Sequence, residues 1–269
     1  MKKIFLGMRV ALKIAYDGRA FFGHQRQPDR RTVEGECLAA LRAAQIVRDP
    51  HESFFRSASR TDRGVSAVGN VIAFNTNLAP EAVVGAFNDR SRDVWAWAAA
   101  AVPASFHPRH ALQRWYRYHI LDDLPLPALR RAGSLFVGEH DFRSFTSDPL
   151  KTALTIDEIS VTRSAPVILF DIRARTFRRS MVRRIVAATI RHANGESSEA
   201  ELQAALGGSR QDFGIVRPEP LFLMDVCYPF SMDVILKHRV RDAWLSIGRD
   251  AELRVRLIEA WHRAAFGES

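Results

Sequence analysis

The order of strands and helices expected from the sequence constrains this chain most, because nearly the same order occurs twice. In the first half, apolar runs predict a strand, a helix, two short strands, a helix and a strand, at residues 9–16, 33–47, 53–57, 70–74, 80–89 and 94–102. In the second half they predict strands and helices in a related order, at residues 113–121, 128–137, 158–163, 167–173, 178–193 and 221–227, with a capping box at 198–201 opening a further short helix. Each half therefore approximates the split strand–helix–strand arrangement of ferredoxin-like folds, in the α+β class.

The composition is that of a folded, basic protein. Apolar residues make up 47% of the 269 residues and charged residues 26%, so the chain can form a core and is not disordered. Lys and Arg number 39 against 30 Asp and Glu, which gives a formal net charge of +9. This excess indicates a polyanionic partner such as nucleic acid, although charge alone also serves solubility.

Cysteine usage and hydropathy predict the compartment. Cys37 and Cys227 lie far apart, which indicates a reducing environment without disulfides. The longest apolar run, Val94–Val102, has nine residues, well short of the roughly 20 that cross a bilayer. The apolar stretch at residues 4–8 is too short for a secretory signal. We therefore expect a cytoplasmic protein that does not bind membranes.

Several common catalytic motifs are missing from the sequence. It contains no P-loop, no Gly-x-Gly-x-x-Gly, no His-Glu-x-x-His and no Gly-x-Ser-x-Gly. His107 and His110 form the closest histidine pair, but no cysteine or carboxylate near them completes a metal-ligand set. We therefore expect neither a metal ion nor an organic cofactor.

Asp62 is the most informative acidic residue. It lies between Arg60 and Arg63 in a glycine-containing loop that joins two short expected strands. Loops on a rigid sheet often display reactive groups, and an ionised carboxylate fixed there can serve as nucleophile, base or charge stabiliser. The alternative is an ordinary turn aspartate with solvated arginines, which the spacing alone favours.

Two further clusters combine arginines with aromatic or apolar residues. Strand alternation places Arg114, Tyr116 and Tyr118 on one face of an expected strand, a pattern that can stack bases and hold phosphate. In the expected helix at 178–193, Arg179 and Arg183 are four residues apart and would share one face. The alternatives are an aromatic core strand with exposed arginines and a solvated basic helix face.

The residues after Pro229 fit neither half. From residue 231 the chain is charged and helical, and Leu253, Leu257, Trp261 and Ala265 form one apolar stripe. We expect this helix to pack on its own domain; a dimer contact or an RNA contact is the alternative.

Read together and in order, these segments resemble the TruA-type tRNA pseudouridine synthases over about residues 10–229. The segments that carry the resemblance are Tyr16-Asp17-Gly18, Phe22-Gly23-His24-Gln25-Arg26-Gln27, Arg60-Thr61-Asp62-Arg63-Gly64-Val65, Phe106-His107-Pro108-Arg109, Tyr116-Arg117-Tyr118, Asp141 to Phe145, Phe177 to Ile185 and Glu219 to Leu223. His24 stands where the family usually has Trp, and Ser66 where it usually has His.

The resemblance implies the pseudouridine synthase fold, with two ferredoxin-like halves and antiparallel sheets around a central basic cleft. It implies halves at residues 1–104 and 105–230 and a helical extension at 231–269. It also implies a homodimer without cofactor that acts on the anticodon stem-loop of tRNA, at positions 38 to 40. For the site it implies Asp62 as the catalytic carboxylate, with Arg60, Arg183 and Tyr116, and substrate contacts from Tyr116, Arg63, Arg114, Arg179 and Leu221.

The implied reaction suits these residue types. Uridine must lose its N1–C1′ bond, rotate and rejoin through C5, so no electron or phosphate is exchanged. A carboxylate can stabilise or capture the electron-poor C1′ centre, as in glycosidases. Whether Asp62 attacks that centre or first removes a proton stays open. A catalytically silent RNA-binding protein of the same fold, and an RNA N-glycosidase or nuclease, are the rival functions.

Overall fold

The computed structural model describes residues 7–148 and 150–266. Most of the apolar stretch at 4–8 lies outside these residues. The first half contains, in chain order, β1 Met8–Tyr16, α1 Val33–Ala43, β2 Arg56–Ser57, β3 Ser66–Thr76, α2 Pro80–Arg90 and β4 Val94–Val102. The rest contains β5 Gln113–Ile120, α3 Leu126–Ser134, β6 Gly138–Asp141, β7 Ala153–Ile156, β8 Glu158–Ser164, β9 Val167–Ala174, α4 Met181–Ala193, α5 Glu199–Leu206, β10 Leu221–Cys227, β11 Asp233–Val234 and α6 His238–Phe266.

Local signals explain where several of these elements begin. Thr32 precedes α1, and its hydroxyl accepts a hydrogen bond from the Gly35 amide at 3.2 Å. Ser198 and Glu201 form the expected capping box at the start of α5. The expected alpha helix at 178–193 begins later, at Met181, because Ser180 has a left-handed backbone conformation (φ 60°). Such a residue cannot continue a right-handed helix.

The expected α+β fold with antiparallel sheets is confirmed, and the sheets of the two halves join into one. Nine strands form it, in the order β11-β4-β1-β3-β10-β5-β9-β8 with β2 beside β3. Every pairing in it is antiparallel except that of β3 with β10, where Ser66 pairs with Phe222 and Ala67 with Leu223. The halves therefore meet at one short parallel seam in the middle of the sheet.

Apolar side chains from both halves form a continuous core around this sheet. α1 and α2 pack together beside β1 and β4, whereas α3 and α4 pack together beside β8. Large fully buried side chains mark both sides of the seam, with Phe74 and Phe87 in the first half and Phe136 and Phe170 in the second. No helix within residues 7–148 and 150–266 is long and apolar enough to cross a membrane.

Only the start of the helical extension packs on the rest of the chain, so our expectation that the helix packs along its apolar stripe was wrong. β11 adds to the outer edge of β4, and Val240 at the start of α6 is buried. Trp244 contacts Trp95 edge to face, with ring centroids 6.5 Å apart. Beyond these first turns α6 leaves the body, and Leu253 and Trp261 of the apolar stripe are 68% and 62% exposed.

Glycine at position 18 permits the close approach between the end of β1 and the Asp62 loop. A Cβ atom there would lie 2.2 Å from the Val65 carbonyl oxygen, closer than any two such atoms can come. We predict that Gly18→Ala lowers the free energy of unfolding by about 1–3 kcal/mol, because the backbone has to move apart. Urea denaturation measures this change.

Gly85→Ala in α2 adds the same methyl group in open space, where the nearest atom is the end of the Lys237 side chain at 3.9 Å. It should raise stability by about 0.5–1 kcal/mol, since alanine favours a helix interior. Equal effects of the two substitutions would contradict this account of Gly18.

Candidate active site

The parallel seam places the Asp62 loop beside the start of β10. Asp62 lies in the loop between β2 and β3, four residues before Ser66, and Ser66 pairs with Phe222. Leu221, the first residue of β10, is buried and lines the same cleft as Asp62. Segments of both halves form this cleft, which has a volume of about 1190 Å³.

One carboxylate oxygen of Asp62 is held from the opposite wall. Arg183 donates from Nη1 to Oδ2 at 3.2 Å, and the Ser180 hydroxyl donates to the same oxygen at 3.3 Å. The other oxygen, Oδ1, has no hydrogen-bond partner within residues 7–148 and 150–266. The side chain keeps 30% of its exposure, so Oδ1 remains available to a molecule in the cleft.

Arg183 is itself fixed at two points. Its Nε donates to the Val216 carbonyl oxygen at 2.9 Å, and its side chain is only 15% exposed. It lies in the first turn of α4, and Ser180 immediately precedes that helix. The Ser180 hydroxyl makes no capping bond and reaches Asp62 instead. The carboxylate thus lies at a helix N-terminus, where the helix dipole favours negative charge.

A network of buried hydrogen bonds holds the Asp62 loop in place. The Asn70 amide donates to the Ser59 carbonyl oxygen at 3.0 Å and to the Tyr16 hydroxyl at 3.2 Å, and its Oδ1 accepts from the Ser59 amide at 3.3 Å. The Tyr16 hydroxyl in turn lies 2.9 Å from the Thr61 hydroxyl. Burial raises the pKa of Tyr16, so this hydroxyl stays neutral. The network fixes Ser59 and Thr61, the residues on either side of Arg60.

Tyr116 forms an aromatic wall of the cleft. It is 8% exposed, and Phe177 meets it edge to face with ring centroids 5.2 Å apart. Burial raises its pKa to about 12, so the ring is uncharged at neutral pH. The expected alternation on β5 is confirmed: Arg114, Tyr116 and Tyr118 are buried on one face.

Three of the expected site arginines, one catalytic and two substrate-binding, are exposed along the cleft. Arg60 makes no hydrogen bond or ion pair with the described part of the chain. Arg63 lies over the Phe22 ring, 4.3 Å from its centroid. Arg179 lines the cleft but lies in the turn before α4, so our placement of Arg179 and Arg183 on one helical face was wrong.

Arg114 differs from these three because it is 7% exposed and its guanidinium bonds to the protein. It donates to the Ser59 hydroxyl at 3.0 Å, to the Ala58 and Arg109 carbonyl oxygens at 3.2 and 2.9 Å, and to the Arg175 carbonyl oxygen. These bonds tie the Asp62 loop to β5. Arg114 is therefore arranged to position the loop, with few donors left for RNA.

His24 lies at the floor of the cleft with both ring nitrogens buried and unpaired within the described residues. Burial lowers its pKa to about 4, helped by the nearby Arg60 charge, so the ring is neutral. No group of three His, Cys, Asp or Glu side chains that could hold a metal ion occurs in residues 7–148 and 150–266.

Sequence reasoning missed the contributions of Ser180, Phe177 and Asn70. Ser180 and Phe177 lie in the segment Phe177 to Ile185, where we considered the arginines as candidates and not the uncharged side chains. Asn70 had a usable signal, because an asparagine at the start of the apolar run Val71–Phe74 must satisfy its amide inside the core.

Comparisons with known proteins identify the family of this chain. A family model for tRNA pseudouridine synthase matches residues 132–229. The tRNA pseudouridine synthase A of Thermococcus sibiricus is 37% identical over 262 residues, covering 94% of this chain and 98% of that protein. The protein of the same name from Pyrococcus furiosus is 42% identical over 227 residues, covering 82% of this chain and 84% of the relative.

Among solved structures, a Cbf5–Nop10–Gar1 complex matches with a TM-score of 0.35 and 13% identity, over 73% of this chain and 45% of that chain. That likeness is too weak to add to the argument. The sequence relatives are sufficient, because they are more than 30% identical over most of both chains. This chain belongs to the tRNA pseudouridine synthase family.

Proposed function

We propose that this protein isomerises uridine to pseudouridine in the anticodon stem-loop of tRNA, with Asp62 as the catalytic carboxylate. The observation that supports the proposal is the hydrogen bonding of the two oxygens of that side chain. One oxygen is bound by Arg183 and Ser180, and the other has no partner in the described part of the chain and is available to the large basic cleft. Such a carboxylate is held in one orientation and keeps one free oxygen for chemistry.

The cleft supplies what the reaction needs before Asp62 can act. The target uridine has to leave the base stack, which costs a few kcal/mol. Stacking on Tyr116 and packing against Leu221 offset that cost, and the unpaired Arg60 guanidinium fills the space that the base leaves. Phe177 keeps the Tyr116 ring in place through its edge-to-face contact.

In the chemical step, the anionic Asp62 acts on the ribose as the N1–C1′ bond breaks. Both routes, attack on C1′ and removal of a ribose proton, use an anionic carboxylate, and Arg183 holds that carboxylate in place at 3.2 Å. The freed base rotates while it is held against Tyr116 and rejoins the sugar through C5. The C5 proton then leaves and N1 gains a proton, so the product has the same composition as the substrate.

The rival functions fit this arrangement less well. A silent RNA-binding protein gains nothing from a carboxylate aimed into a basic cleft, because that charge repels phosphate. An N-glycosidase needs water at C1′, whereas the retained base in pseudouridine formation has to stay enclosed. Sites 38 to 40 are proposed from the family resemblance, and mapping pseudouridines in tRNA treated with the enzyme tests them.

We predict that Asp62→Asn abolishes pseudouridine formation while leaving the affinity for tRNA within about threefold. The amide is nearly the same size but cannot act as an anion. Nucleoside digests of treated tRNA measure the product, and filter binding measures the affinity. Asp123→Asn is the matched control, since Asp123 is 89% exposed and pairs only with Arg163 at the far edge of the sheet. Substantial product from Asp62→Asn would exclude the assignment.

For Arg183 we predict graded losses of the single-turnover rate at saturating enzyme. Arg183→Lys keeps the charge but cannot bond both Val216 and Asp62 through a planar fork, so the rate falls. Arg183→Met should cost about a hundredfold through misplacement of the carboxylate. Affinity for tRNA should change little.

Arg184→Met is the control for this series. Arg184 is the next residue on α4 and pairs with the exposed Asp212. A wild-type rate for Arg183→Met, or an equal loss for Arg184→Met, would refute the pairing role of Arg183.

We also propose that the protein acts as a cytoplasmic homodimer, with α6 in the interface. Its exposed apolar side chains, each about half exposed or more, are Leu245, Ile247, Leu253, Val255, Leu257, Ile258 and Trp261. A stable interface takes about 800 Å² from each partner, and a helix of this length with these exposed apolar side chains can contribute to one. Acidic residues interspersed with the arginines of α6 make it a poor surface for RNA.

We predict that the wild-type protein sediments at twice the mass of the chain and that Leu253→Glu with Leu257→Glu converts it to a monomer. Arg249→Glu changes the charge of the same helix without removing an apolar group, and should leave the dimer intact. A monomeric wild-type protein, or an unaffected dimer in the double variant, would contradict the role of α6.

A further inference from the structure

A second, smaller recess lies next to the cleft on the second half. Its volume is about 330 Å³, and its lining residues are Arg143, Thr146, Ser147, Thr152 and Arg210. Ser147 lines both the recess and the cleft. The Arg179 carbonyl oxygen accepts hydrogen bonds from the Ser147 amide at 3.3 Å and the Thr146 hydroxyl at 3.1 Å. The recess is therefore continuous with the wall that carries Arg179.

The lining of the recess selects the chemical class of its ligand. None of the five lining residues is aliphatic or aromatic, so the recess offers a nucleobase nothing to stack on. Two guanidinium groups and the Ser147 hydroxyl supply donors, since the Thr146 and Thr152 hydroxyls already donate to the Arg179 carbonyl oxygen and to Asp141. This combination suits a phosphodiester, whose oxygens accept hydrogen bonds from arginine in a planar, paired geometry.

Arg210 is presented by a rigid backbone and has a free guanidinium. The buried Ser144 hydroxyl donates to the Ser209 carbonyl oxygen at 2.7 Å and accepts from the Gln211 amide at 3.0 Å. Arg210 is held between these two bonds. Its own side chain is exposed and makes no hydrogen bond or ion pair with residues 7–148 and 150–266.

Arg143, on the other side of the recess, is oriented by Asp141. Its Nε donates to Oδ2 at 2.7 Å. Burial alone would raise the pKa of Asp141, but hydrogen bonds from Thr152 and Arg143 lower it below the ordinary value. The ionised Asp141 balances Arg143, so Arg210 supplies the net positive charge of the recess.

We propose that this recess binds one backbone phosphate of the RNA, with Arg210 as the principal contact and Arg143 and the Ser147 hydroxyl as supports. The proposal rests on the proposed function for the presence of RNA in the adjoining cleft. A phosphate held here positions the stem beside the catalytic loop without reading its sequence. Free inorganic phosphate shares the same chemistry and is distinguished by the experiment.

The experiment compares Arg210→Ala, Arg210→Lys and the control Arg249→Ala in binding to an anticodon stem-loop RNA. Arg249 on α6 is also exposed and without a described partner, so its removal deletes the same charge far from the recess. Arg210→Ala should weaken binding about five- to tenfold. It should also reduce the slope of log affinity against log salt by about 0.7–0.9, the contribution of one phosphate. Arg210→Lys should keep most of the slope.

Ethylation interference on the same RNA identifies the phosphate. One phosphate whose ethylation weakens the wild-type complex should lose that effect with Arg210→Ala.

Equal changes in slope for Arg210→Ala and Arg249→Ala, or an unchanged interference pattern, would overturn the proposal. Arg210-dependent binding of inorganic phosphate with unchanged RNA affinity would also overturn it, as the recess would then be a free-anion site. A wild-type protein that binds RNA through Arg210 but forms no pseudouridine would refute the proposed function and leave the phosphate site standing.

Discussion

The parallel pairing of β3 with β10 is the contact on which the site depends. It involves two residue pairs, Ser66 with Phe222 and Ala67 with Leu223, yet it is where the sheets of the two halves become one. Because the strands run in the same direction, the loop before β3 and the start of β10 lie at the same end of the sheet. Asp62 therefore faces a wall built by the other half of the chain.

The supports of Asp62 come from both sides of this seam. On its own side, Asn70 and Tyr16 hold the preceding residues of the loop through buried hydrogen bonds. From the other side, Arg183 and Ser180 bind one oxygen. An unpaired buried polar group costs about 1–3 kcal/mol, so each of these bonds makes the alternative loop positions unfavourable. The resulting rigidity keeps the second oxygen of Asp62 directed into the cleft.

Patterns along the chain predicted the local elements better than the contacts between distant ones. The limits of β4 and β10 were predicted without error, and those of β9 nearly so, because short apolar runs bounded by polar or proline residues mark them. The predicted start of α4 was wrong because Ser180 adopts a left-handed backbone conformation, from which its hydroxyl bonds to Asp62 and not to the helix. Helix-capping rules do not describe such a residue. The seam was missed because a two-pair parallel contact between strands far apart in sequence leaves no periodic signal.

For the site, too, the sequence predicted which residues take part better than it predicted their contacts. Residue type and family resemblance predicted Asp62, Arg183, Tyr116 and Leu221, which the structure brings to one cleft, but not whether a guanidinium is free. Arg60 and Arg114 look alike in sequence, yet Arg60 is exposed without a partner among the described residues, whereas Arg114 is buried among carbonyl oxygens. That difference depends on the path of the surrounding backbone. The exposure of the apolar stripe on α6 depends on it as well.

The most direct measurement of the central claim is the fate of the C5 hydrogen in a tRNA transcript labelled with tritium at uridine C5. Isomerisation forms a carbon–carbon bond at C5, so the enzyme should release tritium to water while the strand stays intact and no free base appears. Tight binding without tritium release would show that the cleft only holds RNA. Release of uracil or cleavage of the strand would show that Asp62 serves a different reaction.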